Sequence, residues 1–356
     1  MWKARIASGW NAMKKIVTFK RSGVDKAQHT SWRKWGLSLI ALLLVIWTVL
    51  GLIWSHEPSI HDVAKLAEQS AQEQGQRLVV GYTTAYTLRY LTDAILTKPG
   101  GYLSNDVTPP SIVLDNMPSW EFGAVIQLRD LSRALRKDMS RSQSQSTEDE
   151  DLAKAEPLLH FNHNSWMLPS TEGEYRSAIR YLDSYMIRLA DPANSQAQFY
   201  ARADNLSNWL RDVETRLGSL SQRLSASVGQ DRFNTDLAGE ANAEQATPTS
   251  ASQVVKTPRL QVDNIFYQAR GASWALIHIL KAIEVDFGPV LDDKNAMPSL
   301  QQIIRELEET QATVWSPIIL NGNGFGMVAN HSLVMANYIS RANAAIIDLR
   351  DLLEKG

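Results

Sequence analysis

The sequence predicts an all-α protein in which a single N-terminal transmembrane helix precedes a multi-helix bundle. Three observations predict it. Gly36 to Trp54 is an apolar run of nineteen residues without a charge, close to the roughly 20 that cross a hydrocarbon core of about 30 Å. Downstream, apolar residues recur at steps of three and four through most of the chain, which is the helical period. No stretch shows the period-two alternation between turn residues that a half-buried strand requires.

Residues 1–34 read as a basic leader. Trp2, Ile6, Trp10, Met13 and Val17 follow spacings of 4, 4, 3 and 4 and stack on one helical face, with Lys and Arg over much of the remainder. Such a helix lies in the headgroup layer, held by apolar burial and attraction to anionic lipid. Membrane lipid is therefore an expected partner.

Residues 35–55 follow as the anchor, with Trp35, Gly36, Trp47 and Trp54 as its characteristic residues. Its apolar run exceeds the roughly 7–15 residues of a signal peptide, and Ser55-His56-Glu57-Pro58 supplies no small-residue cleavage site. The expectation is an uncleaved span. Nine Lys and Arg precede it against the single acid Asp25, which places the N-terminus in the cytoplasm and the following domain in a bacterial periplasm.

The first 34 residues hold nine of the 36 basic and one of the 38 acidic residues, so the remainder carries 27 against 37, a formal −10. That balance argues against nucleic acid as a partner, because such binding needs a basic footprint. The absence of cysteine excludes disulfides and thiolate chemistry and suits an oxidising compartment.

Beyond the anchor the spacing predicts helices over about 59–97, 119–140, 171–190, 194–227, 260–286, 298–314 and 328–354. Residues 140–151 and about 229–258 are polar, small and nearly free of aromatics, too poor in apolar area to offset ordering entropy. The predicted organisation is one helical module over 56–228, a flexible linker over 229–258 and a second helical module over 259–356.

Phe199, Ala203, Leu206, Leu210, Val213, Leu217, Leu220 and Leu224 alternate steps of four and three, the seam of a heptad. It reads either as a coiled coil with another chain or as a bundle helix packed inside its own domain. Tyr82, Tyr86 and Tyr90 form an aromatic stripe, with Trp274 in the second module, that reads as core. Two stretches also align at an offset of 160 residues, Glu156-Pro157-Leu158-Leu159 with Ser316-Pro317-Ile318-Ile319 among them. An internal duplication of helical modules would explain this, and so would shared helix composition.

Chemistry is harder to find. His160 and His163 lie three apart with only Glu156 near, short of the three or four ligands zinc takes. His56-Glu57 with His61 places the second ring at i+5, off the helical face of a His-Glu-x-x-His site. Asn321-Gly322-Asn323-Gly324-Phe325-Gly326 lacks a preceding strand and a following Lys, so it reads as a turn permitting positive φ, with Phe325 the residue placed for contact. No nucleophile elbow or paired carboxylate frame stands out. No catalytic residue, metal or cofactor is expected.

The Trp-rich anchor, Gly81-Tyr82-Thr83-Thr84-Ala85-Tyr86 and Trp166-Met167-Leu168-Pro169 resemble an uncharacterised family of proteobacterial inner-membrane proteins. The likeness covers essentially the whole chain. It implies a location and an architecture and carries over no site residue. The expected function is a non-enzymatic inner-membrane-anchored scaffold or accessory subunit of a cell-envelope complex, with protein partners or self-association. A periplasmic small-molecule-sensing domain is the alternative, and an envelope hydrolase the most remote one.

Overall fold

A computed structural model describes residues 24–141, 147–194, 196–233, 252–316, 318–322 and 327–355. The chain divides into two compact units, Met1–Ile53 and Trp54–Gly356. The described part of the first is helix α1 (Val24–Trp54), which ends at the start of the second. Its segment Trp32–Trp54 has a mean hydropathy of 2.6 and is long and apolar enough to cross a membrane. Trp35 and Leu37 are exposed, as are Leu42, Leu44 and Trp47. A helix apolar on every side and almost wholly exposed, with Gly51 buried near its end, has the surface of a helix suited to a non-aqueous surrounding.

Among its described residues the second unit is mostly helical, with one short two-stranded ribbon. In order come α2 (Val63–Glu73), α3 (Tyr82–Thr97), a 3-10 turn (Ser111–Val113) and α4 (Asn116–Ala134), which continues as a π-turn over Leu135–Met139. Then follow α5 (Glu150–Leu159), α6 (Thr171–Ala190) and α7 (Ala203–Ser225). β1 (Gln230–Phe233) and β2 (Ser252–Val255) pair antiparallel. α8 (Val262–Asp286), α9 (Gly288–Asp293), α10 (Met297–Glu309) and α11 (His331–Lys355) complete the unit.

α8 is the axis of the bundle. Phe266, Ala269, Trp274, Leu276, Ile277, Leu280 and Ile283 are all buried, as are Gln268, Arg270, His278 and Asp286, so this helix is buried on most sides by the neighbours around it. It packs on α3, α4 and α10, and its approach to α4 is closest. A Cβ on Gly271 would lie 1.9 Å from the Trp120 carbonyl oxygen, and one on Gly123 would lie 2.0 Å from that of Gln268. The two helices meet backbone to backbone there because neither has a side chain in the way.

Helix starts are fixed by side chains that satisfy otherwise orphaned N–H groups. Asp62 Oδ1 accepts from Lys65 N at 3.2 Å, Asp149 Oδ1 from Asp151 N and Leu152 N at 2.9 and 3.1 Å, and Ser170 Oγ from Gly173 N at 3.2 Å. Inside the bundle, Lys98 and Glu121 form an ion pair at 2.7 Å with both side chains almost fully buried. Glu121 also accepts from Leu103 N, Ser104 N and Ser104 Oγ, while Lys98 donates to the Gly101 carbonyl. Burial pushes Glu121 up from the usual carboxylate range.

Several expectations are corrected. The helix expected over 59–97 is two helices, because Gly75 and Gly81 take φ of 63° and 89°, values that end one helix and start another. The start of the 194–227 helix is displaced to Ala203. Residues 150–159, read as polar insert and proline loop, form α5; Pro157 is accommodated within it, and Asp149 caps its start. The matching segment of the second expected copy is not helical at 316 and 318–320, so the two stretches differ in structure at this point of the alignment. The expected linker 229–258 contains the paired strands β1 and β2 at its two ends. Residues 54–356 form one compact unit, whose single core draws on both expected modules.

The heptad seam closes within the chain. Leu206, Leu210, Val213, Leu217, Leu220 and Leu224 are buried, and α7 lies along α11. Ser207 Oγ donates to Glu354 Oε1 at 3.0 Å and Arg350 pairs with Glu214 across the same interface. A stripe already covered by α11 is not available to another chain, so the bundle-helix reading replaces the partner seam. Phe199 precedes α7 and sets its ring against Phe287 at 5.6 Å. Phe325, the expected contact residue, lies outside the described residues.

Candidate functional site

The segment that leaves the apolar helix does not act as a loose stalk. Residues 55–62 run without helix or strand along one face of α8. Their Glu57, Ser59 and His61, every second residue, meet Arg270, Trp274 and His278, every fourth residue of the helix. The two periods agree: two extended residues advance about 6.6 Å and four helical residues about 6.0 Å. An extended strap can therefore stay in register with one helical row for three successive contacts.

Each contact is a matched hydrogen bond. Arg270 Nε donates to Glu57 Oε1 at 2.9 Å and Arg270 Nη2 to Glu57 Oε2 at 2.6 Å. This is the bidentate fork that guanidinium geometry favours. Trp274 Nε1 donates to the Ser59 carbonyl at 3.1 Å, and His61 N donates to His278 Nε2 at 3.0 Å. The remaining Arg270 donor, Nη1, reaches the Thr310 and Ala312 carbonyls at 3.0 and 2.9 Å. One guanidinium thus joins three separate chain segments.

Aromatic rings pack around this line. Trp120 and Trp274 lie 4.9 Å apart, Tyr90 stacks with Tyr86 at 6.1 Å, and His61 meets Tyr90 edge-on at 6.0 Å. The expected Tyr82–Tyr90 core stripe is in part this packing: Tyr82 is fully buried, whereas Tyr86 and Tyr90 are half-buried beside the strap. Trp54, where the second unit begins, sets its ring over Gly100, whose φ of 85° and missing Cβ leave room for it. The strap borders a cleft of about 460 Å³, with Ser55–Ile60 on one side, Tyr267 and Arg270 beneath, and Gln311, Thr313 and Val314 opposite. Burial raises the Tyr267 phenol, which stays protonated at neutral pH.

His278 is fully buried. Its Nδ1 lies 2.7 Å from the Trp274 carbonyl and its Nε2 accepts from His61 N, an arrangement that fits the neutral ring with its proton on Nδ1. Burial pulls its pKa from 6.5 down to about 4, with Lys281 and His61 adding to the effect. Between those values the unfolded chain binds a proton that the folded chain does not, so stability rises with pH across the window and falls on acidification. From pH 7.5 to 5 the loss expected from this group is about 2 kcal/mol. Urea titrations of detergent-solubilised protein at the two pH values check it. In His278→Gln, whose amide oxygen can still accept from His61 N, that part of the pH dependence is expected to vanish.

The histidines considered as metal ligands have other neighbours. His160 Nδ1 lies 3.0 Å from the Glu156 carbonyl and Nε2 lies 3.3 Å from Arg133, whereas the His163 ring packs on Phe122 at 4.5 Å. His61 and Glu57 belong to the strap. Sequence reading treated the 56–61 polar residues as incidental and missed Arg270 and His278 altogether. One signal was available. From Ala269 to Leu280, α8 is apolar or small apart from Arg270 and His278 and holds no acid, so both need partners from another segment.

Residues 25–356 match the model of a family described as an uncharacterised protein conserved in bacteria (DUF2333). The chain belongs to this family. No curated protein and no solved structure matches it. Two segments that carry the resemblance acquire a structural role in this DUF2333 chain. Gly81 opens α3 at a φ only glycine adopts easily, and the buried Asp286 carboxylate at the far end of α8 accepts from Gly81 N, Thr84 N and Thr84 Oγ1 at 2.8, 2.7 and 2.7 Å. This supplies from a distant helix the cap that α3 cannot supply itself. Trp166, Met167 and Leu168 form an exposed apolar tip. Its base is tied down where Tyr102 donates to the His163 carbonyl and Asn105 to that of Ser165, both at 2.8 Å.

Proposed function

We propose that this protein is a bitopic scaffold of the bacterial inner membrane, with its leader in the cytoplasm and its acidic helical domain in the periplasm. On this reading the domain holds partner proteins, or further copies of the chain, at a fixed position beside the bilayer and performs no chemistry of its own. The observation that supports it most is the strap. A domain meant to range freely would leave its anchor through an unattached linker, whereas here the eight residues after Trp54 are fastened to the central helix by Glu57, Ser59 and His61. The basic flank of the span supports the orientation.

Crosslinking in native membranes followed by purification of the full chain tests the proposal. Discrete crosslinked species, to another envelope protein or to a second copy, are expected; recovery of the uncrosslinked monomer alone would count against a scaffold. Reporter fusions after residue 60 are expected to be active in the periplasm. A small-molecule-sensing domain is the second reading, favoured by a polar groove of about 460 Å³ lined by Ser104, His163, Arg223, Asn264 and Gln268. There Arg223 donates to Gln268 Oε1 at 2.6 Å, and among the described residues no carboxylate is paired with it.

A further inference from the structure

The loop between α10 and α11 carries apolar side chains that nothing in the bundle covers. Trp315, Ile318 and Met327 are 92%, 65% and 105% exposed, and Val328 is 55% exposed. An antiparallel bridge between Asn321 and Asn330 pairs the two arms of this loop, and His331 N donates to the Leu320 carbonyl at 3.0 Å to close its base. Single exposed apolar residues are ordinary, but four on one loop mark a contact surface.

Two further facts say what kind of surface covers them. The loop starts beside the first residues of the strap: Ser55 and His56, which follow Trp54, line the same cleft as Thr313 and Val314, and Trp315 is the next residue. Arg270 holds both sides of that cleft, through Glu57 and through the Thr310 and Ala312 carbonyls. In addition, the sequence from Thr310 to Asn330 contains no Lys, Arg, Asp or Glu. A charge-free loop led by tryptophan, set where a membrane span emerges, has the composition that settles at the boundary of headgroups and acyl chains.

We propose that Trp315, Ile318, Met327 and Val328 form a second contact with the bilayer, inserting into the leaflet surface beside the emerging span. The proposal rests on the anchoring reading of the apolar helix.

The absence of cysteine makes a site-specific test direct. Single-cysteine chains Ile40→Cys, Met327→Cys and Lys355→Cys, each labelled with an environment-sensitive fluorophore, are reconstituted at full length in vesicles of phosphatidylethanolamine and phosphatidylglycerol. Lys355 ends α11, about 36 Å along the helix from the loop. A nitroxide carried at a shallow acyl position is expected to quench the label at 327 at least threefold more than the label at 355, and aqueous iodide is expected to do the reverse. Added NaCl is expected to leave the contrast unchanged, since no charge is involved. If the label at 327 is as open to iodide as that at 355 while the label at 40 is quenched from the lipid, the loop contact is wrong and the anchor stands. If the label at 40 is itself open to iodide, both fall.

Discussion

Replacing Arg270 by methionine is expected to cost about 4 kcal/mol and to free the strap from the helix. Both partners are shielded, with Arg270 and Glu57 side chains 9% and 17% exposed. Removing one member of such a pair leaves an uncompensated charge, at roughly 3–5 kcal/mol. The Thr310 and Ala312 carbonyls lose their donor in the same step. Arg270→Lys is expected to recover little, because a single ammonium cannot serve two carboxylate oxygens and two carbonyls in a fixed plane. In the double variant Glu57→Gln with Arg270→Met part of the loss should return, since no charge is then left alone. Urea denaturation gives the stabilities, and hydrogen exchange at 57–61 reports the strap directly. A cost below about 1 kcal/mol for Arg270→Met would mean that the guanidinium is not the fastening described.

Gly271→Ala is expected to destabilise by about 3 kcal/mol, against the sign that helix propensity suggests. In an exposed helix, alanine is better than glycine by about 1 kcal/mol. Here the added methyl would stand 1.9 Å from the Trp120 carbonyl oxygen. That neighbour is backbone and cannot rotate away, so α4 and α8 would have to separate, undoing the packing of Trp120 on Trp274. Overpacking of this kind typically costs 1–3 kcal/mol or more. Gly123→Ala should behave alike, its methyl meeting the Gln268 carbonyl at 2.0 Å. A thermal melt followed by tryptophan fluorescence tests both; an alanine at 271 that raised the melting temperature would overturn the packing argument.

The helical class and most helix positions were legible because spacing of apolar residues is a local property. α6, α8 and α11 lie within a few residues of where period alone puts them. α5 was missed for a local reason too: its acidic start resembled solvated linker, and Pro157 resembled a helix stop. The candidate site was hidden for a different reason. Arg270 lies 213 residues from Glu57, and His278 lies 217 residues from His61. Each half of such a pair is an ordinary polar residue until the fold sets the other beside it. The alternation of Glu57, Ser59 and His61 carries no meaning without the fourfold spacing on α8 that answers it. The same holds for Asp286, which accepts from Gly81, the residue before α3, 205 residues earlier.

The strap also has a mechanical consequence. Eight free residues could stretch to about 27 Å and would absorb a pull as slack. Because Glu57, three residues after Trp54, is already fastened to Arg270, a load applied at Trp54 passes almost at once to the central helix and from there to every element packed on it. Whatever holds that residue moves the bundle as one stiff body. A partner gripping the far side would feel the displacement undiminished, until the Arg270–Glu57 fork gave way.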